Sequence, residues 1–204
     1  MLFRSKSIYD SSVIVEYFDG IGTGANLIPA DFAARIAVRQ WEALGDGIVD
    51  AIVALTHDAR YSQTCDAHAG WYQKQLKKIE QGVAALDHDI GANEFCFGNA
   101  FGLADICAGM ALGYLDRAYG GNASYDWRGK YPGLKRYADK LFARASFANT
   151  LPSGLCFGTC ESGLEGRSAT NSQSIFFSSI ATRALRAYGL PGEPSSFMVL
   201  SCEG

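Results

Sequence analysis

Two long runs of helix-spaced apolar residues occupy the middle of this 204-residue chain, and they limit its fold more than any other feature. In the first, which opens at Asp31, the residues Trp41, Leu44, Ile48, Ile52 and Leu55 step by three and four along one face. In the second, Leu76, Ile79, Val83, Leu86 and Ile90 repeat that spacing and leave Lys74, Lys77 and Lys78 to face water. Two stripes of this length cannot be buried alone, so the pattern predicts an antiparallel pair of long helices. A third segment, 103–114, is apolar nearly all round and suits a helix covered by neighbours on every side. The spacing predicts a last helix over 132–143. It starts with Pro132 in its first turn, where the missing N–H costs nothing, and turns Leu134, Tyr137, Ala138 and Leu141 inward.

Ahead of the long runs, Asp10-Ser11-Ser12 is a strong N-cap signal, and Val13, Ile14, Tyr17 and Phe18 follow at helical spacing. Residues 20–29 then break the pattern with four Gly or Pro. Near the other end Asp105 stands at the third position of the buried helix if Gly102 is its N-cap. There its carboxylate can accept first-turn N–H groups and complement the helix dipole, a folding role.

Composition changes sharply near residue 151. All 13 Asp, all seven Lys, all three His and all three Trp lie before it. Beyond it Gly, Ser and Pro make up 20 of 54 residues, which favours loop over packed core. Only 174–188 looks helix-capable there.

Charge and composition exclude several partner classes. A net charge of −3 provides no basic footprint for a phosphate backbone, so nucleic acid is not an expected partner. The most apolar stretch, 103–115, contains Asp105 and is too short to cross a bilayer. With a polar opening where a secretory signal would be apolar, the chain reads as soluble and cytoplasmic. The six cysteines form no paired CxxC array, and they are expected as reduced, mostly buried thiols with no metal bound. His57 beside Asp58, His68 near Cys65 and Asp66, and His88 between Asp87 and Asp89 read as solvated surface residues, since sequence neighbours on a helix point apart. Asn122-Ala123-Ser124 matches a glycosylation acceptor, which has little meaning inside a cell. For Asp46 and Asp50, one turn apart on the first long helix, two readings stand side by side: a carboxylate pair lining a ligand pocket, or a solvated helix face.

Four separated motifs then fall in one order: Tyr9-Asp10-Ser11-Ser12-Val13-Ile14-Val15-Glu16-Tyr17-Phe18, Leu27-Ile28-Pro29, Arg39-Gln40-Trp41-Glu42-Ala43-Leu44-Gly45-Asp46-Gly47-Ile48, and Phe101-Gly102-Leu103-Ala104-Asp105-Ile106. In this order they resemble a bacterial glutathione S-transferase from about residue 7 to 152. The resemblance implies a mainly α fold: an all-helical C-terminal domain at 27–152, preceded at 1–26 by a remnant strand (about 5–9) and helix of a thioredoxin-like α/β domain. The irregular tail, 153–204, falls outside the family pattern.

What the resemblance implies about function is attack of the glutathione thiolate on a small apolar electrophile. Glutathione is then a co-substrate, no further cofactor is needed, and a homodimer is expected as in the family. Carried onto this chain, Asp10 accepts from the γ-glutamyl ammonium, while the Ser11 hydroxyl and the first N–H groups of its helix hold the carboxylate. The physics agrees, because a helix N-terminus attracts an anion and an adjacent carboxylate pairs the cation beside it. The pocket reading of Asp46 and Asp50 would make the co-substrate that ligand, with the solvated-face reading standing beside it.

Two departures accompany the resemblance. The family's thiol-activating Ser, Cys or Tyr and its cis-Pro loop both precede the first motif and have no counterpart here, so no catalytic residue is assigned and the chain is expected to be impaired. Gly102 stands where the family usually has Thr or Ser, a change that costs a cap a few tenths of a kcal/mol. The alternative function is a non-catalytic all-α interaction or structural module.

Overall fold

The computed structural model describes residues 2, 3, 6–61, 69–119 and 125–150, and for 2, 3, 6, 7 and 57–61 it describes the backbone alone. The chain divides into two compact units: one is Pro29–Arg144, and the other joins the described residues up to Ile28 with those from Ala145.

In the first unit to appear along the chain, β1 (Leu2–Phe3) and β2 (Lys6–Ser7) form a short antiparallel pair with Leu2 opposite Ser7 and Phe3 opposite Lys6. The expected single strand over 5–9 is thus corrected to a two-residue strand that has a partner. Helix α1 (Ser11–Ile21) follows, capped by Asp10. Its buried residues are Ser11, Val15, Phe18 and Asp19, whereas Val13 is exposed. Val13 shares the helical spacing of Tyr17, but the covered face runs through 11, 15 and 18, one row over. Two polar residues, Ser11 and Asp19, belong to that face, and hydrophobic spacing cannot detect them. Asp19 earns its buried place by accepting the Leu27 backbone N–H at 2.7 Å, with Asn26 Nδ2 at 3.5 Å. The loop that Gly and Pro residues release from helix is therefore held by one carboxylate. Helix α7 (Ala145–Ala148), whose Phe147 is buried, belongs to this unit as well.

The helical unit is built on α2 (Phe32–Tyr61), α3 (Ala69–Ile90) and α4 (Leu103–Tyr119). Asp31 starts α2 by accepting the Ala34 N–H at 2.9 Å, an N-cap bond to the third helical residue. Ile48, Ile52 and Leu55 of α2 and Ile79, Val83, Leu86 and Ile90 of α3 are buried, while Trp41, Leu44 and Leu76 are half-buried. Lys74, Lys77 and Lys78 face solvent. Glycines set how closely the helices approach. A Cβ on Gly45 of α2 would lie 3.0 Å from the Cys107 carbonyl oxygen of α4, and one on Gly82 of α3 would lie 2.5 Å from Ile48 Cγ1 of α2.

As its all-round apolar sequence implies, α4 is the core helix, with 103–112 and Leu115 buried. Two further helices close the unit. The short α5 (Trp127–Lys130) has Trp127 buried, and α6 (Pro132–Phe142) turns Leu134, Tyr137, Ala138 and Leu141 inward as the spacing predicts. Arg128 ties these pieces together: it donates to Asp116 of α4 through Nε (2.8 Å) and Nη2 (2.5 Å), to Asp139 of α6 through Nη1 (2.7 Å), and lies over the Trp127 ring.

Cys96 and Cys107 are buried free thiols. Among the described residues no helix is long and apolar enough to cross a membrane, and no cluster of His, Cys, Asp and Glu could hold a metal ion. The expectations for Cys65, Asp66, His68, Asn122-Ala123-Ser124, Cys156, Cys160, Cys202 and the 153–204 tail lie outside the described residues.

Candidate functional site

The N-terminus of α1 is built by three consecutive polar residues. Helix geometry leaves the first-turn N–H groups without intrahelical acceptors, so a side chain or a ligand must meet them. Asp10 meets one: its Oδ1 accepts the Ser12 N–H and the Ser12 hydroxyl, each at 3.0 Å, and the Ser11 hydroxyl stands at 3.5 Å. These bonds all fall on one carboxylate oxygen. Asp10 is exposed, and Ser11 beside it is buried at 6% exposure, so an open carboxylate and a fixed hydroxyl sit together at the positive end of an 11-residue helix.

The backbone at Asp10 is unusual. With φ 64° and ψ 144° it is the one residue other than glycine among the described residues to have positive φ. For a residue with a Cβ this region costs on the order of 1–3 kcal/mol, and such strain persists where the surroundings over-determine it, often at ligand sites. Nothing in the sequence signals this conformation. Asp-Ser-Ser reads as an ordinary cap, and an ordinary cap residue takes β-region angles.

Asp46 and Asp50 occupy successive turns of α2 but different environments. Asp46 is half-buried, whereas Asp50 is exposed. Burial pushes the Cys107 thiol well up, and the nearby charges of Glu42 and Asp46 add to the effect. Glu42, only 7% exposed, is paired with Arg39 one turn before it at 2.6 Å. Sequence reasoning did not single out this ion pair, although the spacing from Arg39 to Glu42 is that of a helical pair.

Gly102 and Asp105 form the cap of α4. The Gly102 carbonyl accepts the Ile106 N–H at 3.3 Å, and Asp105 Oδ2 reaches back to accept the Gly102 N–H at 2.9 Å, the side-chain half of a capping box. Its Oδ1 accepts the Cys96 N–H at 2.9 Å and the Tyr137 hydroxyl at 2.5 Å, and that hydroxyl lies 2.9 Å from Cys96 Sγ. Burial, then the charge of Asp105, pushes the Cys96 thiol far above its ordinary range. Tyr137 rises for the same reason, with Cys96 and Asp105 adding to burial. Both groups are therefore neutral donors, and the cluster is structural rather than reactive. Tyr137 is legible in the sequence as an inward residue, but its pairing with Cys96, 41 residues earlier, carries no sequence signal.

The likeness to known proteins is now specific. The model of the glutathione S-transferase C-terminal domain matches residues 69–140. A probable glutathione S-transferase of Nicotiana tabacum is 26% identical over 157 residues, which cover 75% of this chain and 65% of the tobacco protein. The chain therefore spans slightly less than two thirds of that relative. The uncharacterized GST-like protein YibF of Escherichia coli is 29% identical over 145 residues, 71% of this chain and 69% of that protein. Among solved structures, a glutathione S-transferase from Methylobacillus flagellatus with glutathione bound is 42% identical, with a TM-score of 0.66 over 72% of this chain and 71% of that one. A glutathione transferase family member from Pseudomonas fluorescens with bound S-(propanoic acid)-glutathione is 31% identical, with a TM-score of 0.67 over 75% and 74%.

Proposed function

This chain belongs to the glutathione S-transferase family, and from that membership we propose that it binds glutathione at the N-terminus of α1, as part of a protein that conjugates the glutathione thiolate to small apolar electrophiles. Asp10 accepts from the γ-glutamyl ammonium. The Ser11 hydroxyl and the first-turn N–H groups of α1 hold the γ-glutamyl carboxylate, where the helix dipole favours negative charge. The observation that carries the reading is the exposed Asp10 at φ 64°, a strained residue standing beside a buried serine at a helix start. Glutathione bound to the Methylobacillus flagellatus relative supports the choice of ligand.

On this reading Asp46 and Asp50 of α2 face the co-substrate, Asp46 from its half-buried position and Asp50 from an exposed one. Asp105 and Gly102 serve the fold, and residues 1–26 and 27–152 act as the glutathione-binding part and the all-α domain. The protein acts in the cytoplasm as a homodimer.

Titration calorimetry with glutathione, paired with a conjugation assay on a chloronitrobenzene, tests the proposal. Heat of binding should be detectable, and Ser11→Ala should weaken the affinity by about 1 kcal/mol, the usual net size of one hydrogen bond. Absence of binding at millimolar glutathione overturns the reading. Turnover of the chloronitrobenzene would place the thiol-activating residue within this chain.

A further inference from the structure

We draw no further inference here: the strongest candidate, the aromatic cluster where Tyr72 near the start of α3 and Tyr119 at the end of α4 gather with Tyr125 and Tyr131 and the Tyr125 hydroxyl is buried without a hydrogen-bond partner among the described residues, is an unpartnered face, and nothing in the structure shows what covers it.

Discussion

Asp10 and Asp105 are the same residue type at the same kind of place, the start of a helix, and they differ in nearly everything else. Asp105 is 1% exposed and both of its oxygens accept hydrogen bonds, Oδ2 from Gly102 and Oδ1 from Cys96 and the distant Tyr137. Asp10 is exposed, its bonds are local and fall on one oxygen, and its backbone is strained. A buried carboxylate whose acceptor capacity is taken up by the fold has nothing left for a ligand, and removing it leaves buried donors unsatisfied. An exposed one with capacity remaining, held in a costly conformation, is where the fold has given up stability without an internal return. The contrast teaches that a cap motif identifies a helix start, whereas burial decides how much of the carboxylate's acceptor capacity the fold takes up.

The contrast breaks most directly at Asp105. Replacing it with alanine strands the Cys96 and Gly102 N–H groups and leaves the Tyr137 hydroxyl with only the Cys96 sulfur. With each unsatisfied buried group costing about 1–3 kcal/mol, Asp105→Ala should destabilise the protein by about 3–5 kcal/mol in urea unfolding followed by circular dichroism. A loss below about 1 kcal/mol would abolish the distinction between the two caps.

Alkaline pH should weaken the buried side next. The folded-state pKa of Cys96 and of Cys107 is raised above the ordinary thiol value of 9.0, so the contribution of both is present below that value and is lost as pH rises beyond it. Each thiol can remove at most about 1.4 kcal/mol per pH unit, so stability at pH 10 should lie about 2–3 kcal/mol below that at pH 7. The double variant Cys96→Ala, Cys107→Ala, though less stable at neutral pH, should show a flatter profile between these values. An equally steep profile in that variant would place the titration elsewhere.

A milder cut sharpens the account of the network. Tyr137→Phe keeps the ring in the core and removes one donor from Asp105, and it should cost about 1–2 kcal/mol by the same unfolding measurement. If Tyr137→Phe costs as much as Asp105→Ala, the hydroxyl rather than the carboxylate is the centre of the cluster.

At the exposed cap the expected stability effect is the smallest. Asp10→Gly relieves the positive φ while a glycine cap loses only a few tenths of a kcal/mol, so the variant should fold with stability unchanged or slightly raised, by no more than about 1 kcal/mol. Glutathione binding should nevertheless fall at least tenfold by calorimetry. A variant that loses stability and keeps binding would reverse the assignment of roles.

Much of this molecule could be read before its structure. Asp31 with the stripe from Ile48 to Leu55 announces α2, the stripe from Ile79 to Ile90 announces α3, and Pro132 with Leu134, Tyr137 and Leu141 announces α6. Each is a local pattern, and helical periodicity records local geometry directly. Val13 shows the limit: α1 is so short that two apolar rows compete, and packing covers the row carrying Ser11 and Asp19 instead.

By itself the sequence determined the helical class, the family and the two cap residues, because hydrophobic spacing, capping chemistry and motif order are written in neighbouring positions. Only the tertiary structure decided which cap is buried, how Cys96 and Tyr137 join Asp105, how closely Gly45 lets α2 approach α4, and that Asp10 is held at φ 64°. Those outcomes depend on groups brought together from distant parts of the chain, and on a backbone angle that aspartate does not choose when left to itself. The physical reason is that propensity and periodicity act over a few residues, whereas burial and the pairing of polar groups are set by everything packed around them.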